Sequence, residues 1–376
     1  MSKSVTKPLN VLHVVSWYPT LEQPLNAIWI KRLIDSMPHG KHTILHLSIQ
    51  PGKHFKRLHS EAPGMVLEVP FHSWRLIEWV TSLLLLYFLV FKYKPRDFHL
   101  LNVHIAYPLL VSSWVRNWIK IPVVIFEHWS AYHNNFGVKQ PGRLQRVRDI
   151  FKQKYPLITV SKALAQDIVD FSGHHNFKQA VVPNIVRTDL FEYRPKSPVP
   201  LTLLMASFWK VPKQPLVILE AFAQFLKHQE QAKLVIVGGG PQWHEITQRA
   251  QENDLINSVE LLGAMSPDQL AVQMQSAHGF IHISDYETFS VVCAEAICCG
   301  TPVIASACGG IPEFINHQNG ILLQDHKELG AAMIRFSERH QMFDHQQISI
   351  DAHKKFRPTA VGAAYLDVLT EIYATS

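Results

Sequence analysis

Short apolar runs alternate with longer segments of helical periodicity along almost the whole chain. Apolar runs bounded by polar or turn residues are typical of strands buried in a parallel sheet. They predict strands at 10–16, 42–48, 100–104, 123–127, 157–160, 180–182, 202–206, 233–237, 258–262, 279–283 and 302–305. Helices are predicted between them, at 27–37, 75–94, 108–119, 216–228, 290–299 and 359–373. Strands that alternate with helices predict an α/β fold with open parallel sheets.

One proline-rich segment, 191–200, interrupts this alternation and is typical of a linker. We therefore expect a first domain at 1–190, a linker at 191–200, a second domain at 201–356 and a final helical segment at 357–376. Two domains also suit a length of 376 residues. Because ligands bind at the carboxyl ends of strands in open parallel sheets, the loops after strands are where functional residues are expected.

Composition excludes several classes of protein. A hydrophobic content of 47% with 18% charged residues is globular rather than disordered. The longest apolar stretch, 79–91, is shorter than the roughly 20 residues that span a bilayer, so it predicts a buried or interfacial helix. The N-terminus shows no signal-peptide pattern. All four cysteines lie within 293–308, which favours buried thiols in a reducing cytoplasm over disulfides or zinc.

Charge is divided unevenly between the two halves. Residues 1–200 hold 25 Lys/Arg and 12 Asp/Glu, a net +13, whereas residues 201–376 hold 11 and 18, a net −7. The basic half indicates an anionic partner, and the tryptophans near its basic residues in 74–120 favour a membrane interface over nucleic acid. We expect a cytoplasmic protein, peripheral on the inner face of the cytoplasmic membrane. The alternative, that the apolar helix belongs to the core of the first domain and the basic residues only solvate its surface, stays open.

The strongest candidate for chemistry is the segment SDYETFSVVCAEAICCGTP at 284–302. Glu287 and Glu295 are eight residues apart, which on one helix means a rise of about 12 Å and a rotation of about 80°. They would therefore not form the close carboxylate pair of a glycosidase. We expect Glu287 in an exposed strand-exit loop and Glu295 on the following helix. Between them, Ser290 as the N-cap of the helix would complete a binding site for an anion. A carboxylate, an anion site and a second carboxylate in this order fit the sugar, the diphosphate and the ribose of a nucleotide sugar.

This segment resembles the Glu-x7-Glu motif of the family 4 retaining glycosyltransferases. Further similar stretches follow the family's order along the chain, namely WYPTLEQPLNAIWIKR, VSKALA, VVPNIVRTDLF, LVIVGGGP, VELLGAMSPDQL and AEAICCGTPVIASACGGIPEFINHQNGILL. The resemblance implies the GT-B fold, with two Rossmann-like domains facing a central cleft and a C-terminal helix crossing back to the N-terminal domain. It also implies retaining transfer of a sugar from a nucleotide diphosphate sugar to a glycan or lipid-linked acceptor, as in lipopolysaccharide or exopolysaccharide synthesis.

The resemblance assigns donor-binding roles in the second half. Glu287 corresponds to the glutamate that binds the sugar hydroxyls, and Glu295 to the one that binds the ribose. Lys213 corresponds to the lysine that neutralises the diphosphate. Phe208 stands where the family often has an arginine, and Lys210 is a nearby cation that would replace it. The other expected donor-binding residues belong to a glycine loop and a helix N-terminus: Gly238, Gly239, Thr288, Phe289 and Ser290.

In the first half, His128 follows a predicted strand and corresponds to the family's histidine that faces the donor. The resemblance implies that it is catalytic together with Glu287, either by bonding the sugar or by stabilising developing charge. The acceptor loop corresponds to 23–29, with Asn26 and Ala27 as expected contacts; the family usually has a glycine at the position of Ala27. No metal, cofactor or nucleic acid is expected.

Two other functions stay open at this stage. One is a GT-B epimerase or hydrolase that acts on a nucleotide sugar without an acceptor, which donor turnover in the absence of acceptor would reveal. The other is a non-catalytic protein that binds a nucleotide sugar, which donor binding without turnover would reveal. Ala27 and Phe208, where the family has other residues, are the features that favour this second alternative.

Overall fold

The computed structural model describes residues 8–24, 26–70, 73–134, 141–175, 177–197, 200–252 and 255–376. The chain divides into two compact units, unit 1 with Met1–Asn184 and Thr359–Ser376, and unit 2 with Ile185–Pro358. The boundary thus falls six residues before the predicted end of the first domain at 190. Leu25 of the predicted acceptor loop and 198–199 of the predicted linker lie outside the described residues.

Unit 1 is built on a sheet of eight strands. They are β1 (Asn10–Val15), β2 (Lys41–Pro51), β3 (Lys56–Leu58), β4 (Gly64–Val69), β5 (Leu100–His104), β6 (Val123–Glu127), β7 (Leu157–Thr159) and β8 (Gln179–Val181). Their order in space is β3-β4-β2-β1-β5-β6-β7-β8, and among these described strands only the β3–β4 pair is antiparallel. The hairpin of β3 and β4 was not predicted, because neither strand is a purely apolar run.

Among the residues that the structure describes, five α-helices lie between these strands: α1 (Ile28–Asp35), α2 (Trp74–Phe91), α3 (Ser113–Trp118), α4 (Pro141–Phe151) and α5 (Lys162–Ser172). The predicted helix 108–119 is wrong in its first half, because Leu109 and Leu110 are fully buried in a non-helical turn that fills the core. α5 shows how local sequence sets the ends of a helix. The Ser161 hydroxyl accepts the Leu164 N–H at its start, and Gly173 adopts the left-handed conformation at its end.

Unit 2 is built on an all-parallel sheet of six strands. They are β9 (Thr202–Phe208), β10 (Lys233–Gly239), β11 (Val259–Gly263), β12 (Gly279–His282), β13 (Val303–Ser306) and β14 (Gly320–Leu323), in the order β11-β10-β9-β12-β13-β14. Its helices are α6 (Pro215–Phe225), α7 (Trp243–Ala250), α8 (Pro267–Ser276), α9 (Val291–Cys298), α10 (Leu329–Arg339) and α11 (His345–Phe356). A continuous apolar core of Leu203, Phe222 and Phe336, among others, holds the sheet and helices together.

The last helix, α12 (Pro358–Ala374), packs almost entirely within unit 1. Gly362 lies against the end of α1, where a Cβ atom would approach the main-chain oxygen of Ser36 to 2.1 Å. Only glycine permits this approach. The contact brings Tyr365, which is fully buried, against the strands at the centre of the unit 1 sheet.

Candidate functional site

In unit 2, the loops that follow the neighbouring strands β9 and β12 are joined by main-chain bonds. The Gln214 N–H donates to the oxygen of Ile283 (3.0 Å), and the Asp285 N–H donates to the oxygen of Pro212 (3.0 Å). Lys213 lies between these contacts and forms an isolated bridge with Ser284. The two loops therefore hold Lys213 and the residues after β12 in a fixed relation.

Glu287 lies in the loop between β12 and α9 and contacts two cationic or ionisable side chains. Its Oε1 is 2.7 Å from Nε2 of His282, the last residue of β12, and also pairs with Nζ of Lys213. The side chains of Glu287, Lys213 and His282 are only 13%, 18% and 2% exposed. The expectation that Glu287 is exposed is wrong, because these partners draw it into the protein.

The protonation state of Glu287 follows from these contacts. Burial alone would raise the pKa of its carboxyl group, but the hydrogen bond and charge of His282 and the charge of Lys213 lower it to about 2. Glu287 is therefore ionised at neutral pH. Lys213 and Glu287 neutralise each other in this ion pair.

The main chain of Glu287 is clamped by the loop after β13. The Gly310 N–H donates to the Glu287 oxygen (2.9 Å). A Cβ atom on Gly309, which has a φ of 50°, would lie 1.7 Å from that same oxygen. Glycine is thus required at 309 both for the backbone conformation and for the close approach. Three adjacent strand ends, of β9, β12 and β13, therefore position Glu287.

The other predicted donor-binding residues of this segment lie between Glu287 and α9 (Thr288, Phe289 and Ser290) or on α9 itself (Glu295). Ser290 occupies the N-cap position, but its backbone is left-handed (φ 71°) and its side chain makes no capping hydrogen bond, so that part of the prediction is wrong. Its Oγ is buried and contacts the thiol of Cys293 in the first turn of the helix. Thr288 and Glu295 are half-buried, Glu295 within the helix. The buried Phe289 ring packs 5.0 Å from that of Phe314, so only its main chain is available to a ligand.

The glycine loop after β10 packs against the exit of β9. A Cβ atom on Gly238 would lie 1.8 Å from the Ser207 oxygen, and the Trp209 N–H donates to the Gly239 oxygen (2.7 Å). Gly238 is therefore needed for the packing of the protein itself. At Gly239, by contrast, no described atom lies within 4 Å of a Cβ position. Lys210 is exposed, with its Nζ 5.8 Å from the centre of the Phe208 ring.

In unit 1, His128 directly follows β6 and is 8% exposed. Burial lowers its pKa to about 3, so the imidazole is neutral and acts through hydrogen bonds rather than as a cation. The preceding Glu127 is fully buried and accepts bonds from the Tyr132 hydroxyl (2.7 Å) and the Ala106 N–H (2.8 Å). Burial raises the pKa of Glu127 to about 7. Sequence reasoning missed Glu127, although a carboxylate ending an apolar strand was a signal for it.

The predicted acceptor contacts differ in their accessibility. Asn26 is half-buried and its N–H donates to the oxygen of Gln23 (3.1 Å). Ala27 is fully buried, so its side chain cannot touch an acceptor. Its φ of 48° lies in the left-handed region that favours glycine. Ala27 therefore adopts the left-handed backbone conformation that a glycine would adopt more easily.

Within the described part of the chain, no group of three or more His, Cys, Asp or Glu side chains is arranged to hold a metal ion. The four cysteines are free thiols; three are buried and Cys308 is half-buried.

Residues 187–352, which lie within unit 2, match the profile of the family described as glycosyl transferases group 1. The chain is similar to alpha-monoglucosyldiacylglycerol synthase of Streptococcus pneumoniae, with 34% identity over 217 residues that cover 52% of this chain and 48% of the relative. It is also similar to N-acetyl-alpha-D-glucosaminyl L-malate synthase of Bacillus anthracis, with 23% identity over 319 residues that cover 75% and 81% of the two chains. The first alignment thus spans about half the length of that relative.

Among solved structures, the fold is similar to that of Anabaena HepE in complex with UDP-glucose. The TM-score is 0.71 with 16% identity, over 96% of this chain and 100% of that chain. At this identity the likeness concerns the fold, with its two parallel-sheet Rossmann-like units. Residues 187–352 are therefore similar to the glycosyl transferases group 1 family, and the fold of the chain is the α/β GT-B fold.

Proposed function

We propose that the protein is a retaining glycosyltransferase that moves a hexosyl group from a nucleotide diphosphate sugar to a glycan or lipid-linked acceptor. The observation that carries the proposal is the buried cluster of Lys213, Glu287 and His282 at the carboxyl ends of β9 and β12. This is the place where open parallel sheets bind ligands. A cation beside an ionised carboxylate suits a ligand with both phosphates and hydroxyls.

In the proposed donor complex, the diphosphate binds to Lys213 and to the N-terminus of α9. The position of this terminus beside Lys213 and Glu287 supports this, because the first N–H groups of a helix favour anions. Glu287 then accepts hydrogen bonds from sugar hydroxyls, and Glu295, one to two turns along α9, from the ribose. Gly239, with open space around it, admits the nucleotide, and Lys210 adds a second positive charge.

The proposed reaction breaks the bond between the anomeric carbon and the phosphate oxygen and forms a bond from the acceptor oxygen on the same face. The acceptor proton passes to the leaving diphosphate oxygen, so no side chain has to act as a base. Lys213 and the α9 N-terminus stabilise the charge of the leaving group, and neutral His128 accepts a hydrogen bond from the sugar. We propose that neither metal nor cofactor takes part.

Related proteins support the donor and acceptor classes. The Anabaena neighbour is described as a complex with UDP-glucose. The S. pneumoniae relative is named for a glucosylated diacylglycerol, and a relative in Arabidopsis thaliana is named as a phosphatidylinositol N-acetylglucosaminyltransferase subunit. Lipid acceptors would place the enzyme at a membrane, and we propose a cytoplasmic enzyme that binds an anionic membrane surface.

The surface of α2 supports this location. Its inner face packs on the sheet through Ile77, next to Ile49 and Val69. Its outer face is apolar over four turns, where a surface helix normally carries polar residues. The exposed residues of that face are Leu76, Trp79, Leu83, Tyr87, Val90 and Phe91. The helix has 18 residues and a mean hydropathy of 1.6, so by length and composition alone it could also cross a membrane.

Basic residues surround the two ends of α2 and match an anionic lipid surface. Arg75, Lys92, Lys94 and Arg96 are exposed. Near anionic lipid, four such charges contribute about 4 kcal/mol, which is enough for reversible binding. Arg116, also in this basic segment, is not part of this surface, because it is buried and donates to the oxygens of Leu110 and Val111.

The transferase proposal is tested by thermal-shift screening of nucleoside diphosphates and nucleotide sugars, followed by product analysis with lipid and glycan acceptors. We expect a nucleotide sugar at 100 times its Kd to stabilise the protein by about 2.7 kcal/mol. We also expect an α-linked product from an α-linked donor. Donor turnover to a free sugar or epimer that acceptors do not redirect would contradict transfer, and binding with no turnover would indicate a non-catalytic protein.

Membrane binding is tested by co-sedimentation with vesicles of phosphatidylglycerol and phosphatidylcholine. Trp79→Glu should abolish binding, whereas Val272→Glu should not, since both residues are 53% exposed but Val272 lies on α8 in unit 2. Binding should weaken as salt rises, because the attraction is screened within about 10 Å at 0.1 M. Equal binding to neutral vesicles, or equal loss in both variants, would contradict the proposal.

A further inference from the structure

A row of histidines crosses four neighbouring strands of unit 1. His42 lies on β2, His13 on β1 and His104 on β5, and His128 follows β6. In the parallel register Asn102 lies opposite His13, and His104 is two residues further along the same strand. The same offset relates the other neighbours: Val11 lies opposite His42, two residues before His13, and Phe126 lies opposite His104, two residues before His128. Residues two apart on a strand point to the same face of the sheet. The sheet therefore lines up four imidazoles on one face.

The ring nitrogens of these histidines contact one another in series. Nδ1 of His42 is 3.2 Å from Nε2 of His13, and Nδ1 of His13 is 3.2 Å from Nε2 of His104. Nδ1 of His104 is 3.4 Å from Nε2 of His128. At the outer end, Nε2 of His42 lies 3.1 Å from the main-chain oxygen of His39. Burial lowers the pKa of all four imidazoles, so each ring is neutral and carries a single N–H.

The carbonyl of His39 determines which nitrogen carries the hydrogen in every ring. A carbonyl oxygen only accepts, so Nε2 of His42 is the N–H and its Nδ1 is an acceptor. Nε2 of His13 must then donate, which leaves Nδ1 of His13 as the acceptor for His104. Nε2 of His104 therefore donates to His13, and Nδ1 of His104 accepts the N–H at Nε2 of His128. Nδ1 of His128 therefore keeps a lone pair, and that buried atom has no partner in the part of the chain that the structure describes.

We propose that His42, His13 and His104 are positioning residues that hold His128 in its Nε2–H tautomer, so that its Nδ1 accepts a hydrogen bond from a hydroxyl of the bound sugar. The sugar contact rests on the proposed function, whereas the tautomer does not. Without the anchor, the opposite arrangement with hydrogen on every Nδ1 would satisfy the three ring-to-ring contacts equally well. His128 would then present a donor and repel a hydroxyl proton.

Two further contacts limit the movement of the rings. Phe126 stacks on His128 with ring centres 4.3 Å apart and an interplanar angle of 20°. The Tyr365 hydroxyl from α12 lies 3.4 Å from Nε2 of His104 and also contacts Asn102. Asn102 also bears on the tautomers. Its side-chain amide lies 3.4 Å from Nδ1 of His13, which the series makes an acceptor, and 3.4 Å from Nε2 of His104, which the series makes a donor. The Oδ1 of Asn102 has no hydrogen-bond partner among the described residues, and turning the amide by 180° would present this oxygen to the N–H of His104.

Nitrogen-15 NMR of the full-length protein labelled in histidine tests the proposal directly, because protonated and unprotonated ring nitrogens differ strongly in shift. The His128 signals are assigned from His128→Gln. We expect Nε2 of His128 to be protonated and Nδ1 unprotonated in the wild type. In His42→Ala, water replaces the anchor and can donate or accept, so the Nδ1 signal should move towards the protonated position. His39→Ala keeps the main-chain oxygen and should leave the signal unchanged.

A protonated Nδ1 in the wild type, or an unchanged tautomer in His42→Ala, would overturn the proposal. His104→Asn places an amide oxygen near the position of Nδ1 and should keep His128 in its Nε2–H form, whereas His104→Phe, which has no acceptor there, should not. Where the tautomer shifts, donor binding should weaken roughly threefold to tenfold, the loss of one neutral hydrogen bond. If the tautomer behaves as expected but no nucleotide sugar binds the wild type, the proposed function fails and the tautomer assignment stands.

Discussion

The ion pair between Lys213 and Glu287 predicts that removing one charge will have opposite effects on binding and on turnover. The two side chains neutralise each other in the ion pair. A diphosphate must therefore compete with Glu287 for Lys213. Glu287→Gln keeps the shape and hydrogen-bonding capacity of the side chain but removes this competition. We expect the variant to bind a nucleoside diphosphate more tightly than the wild type and to transfer sugar poorly.

The structure gives the magnitudes. A charge-assisted hydrogen bond is worth about 1.5–3 kcal/mol, so freeing Lys213 should tighten diphosphate binding by roughly tenfold or more. Turnover should fall more than tenfold, an increase in barrier above about 1.4 kcal/mol, because the sugar loses its carboxylate partner. The variant should also be less stable. A fall in the pKa of Glu287 from 4.5 to about 2 corresponds to about 3 kcal/mol as an upper bound.

The sign of the stability effect can be checked with pH. The carboxylate has a lower pKa in the folded state, so its contribution is present above pH 4.5 and is lost as pH falls towards 2. Urea unfolding across this range should therefore show a steeper acid loss in the wild type than in Glu287→Gln.

Calorimetric titration of the nucleoside diphosphate that best stabilises the wild type measures the binding effect. Glu295→Gln is the matched control, because it also removes a half-buried carboxylate of the same motif but not the partner of Lys213. It should weaken binding. Unchanged or weaker diphosphate binding in Glu287→Gln would show that Lys213 is not held back by Glu287. Retention of more than a tenth of the turnover would remove Glu287 from the reaction.

Four other outcomes are expected. Lys213→Ala should weaken nucleoside diphosphate binding at least tenfold but leave nucleoside binding unchanged in the same titration, and equal losses would indicate a structural lysine. Turnover should persist in excess chelator, because the proposed reaction uses no metal. A loss of turnover that added metal reverses would instead indicate a metal role for Asp285 and Glu287. Because the pKa of Glu127 is raised to about 7, the free energy of unfolding should fall by up to about 3 kcal/mol as pH rises from 4.5 to 7, and Glu127→Gln should remove this fall in urea titrations. Ala27→Gly should stabilise by about 0.5–1 kcal/mol in the same assay, as relief of about 1–2 kcal/mol of left-handed strain exceeds the entropic cost of glycine.

Local patterns in the sequence determined most of the strands and the loops in which chemistry was expected. Strands β5 and β6 were predicted to the residue, because each is a short, mainly apolar run that ends in a polar side chain. Helix periodicity likewise placed Glu287 before α9 and Glu295 within it. The sequence also indicated an anionic partner through the uneven charge, although it did not show that Arg116 is buried.

What the tertiary structure decided depends on which strands are neighbours. Lys213 and Glu287 are 74 residues apart, and they meet only because β9 and β12 are adjacent in the sheet. The histidines of the row are likewise separated by 29, 91 and 24 residues along the chain. A period-two pattern shows which residues share a face of one strand, but not which strand lies beside it. Long crossover connections set that order, so pairing, burial and the pKa of Glu287 follow from packing that no local pattern contains.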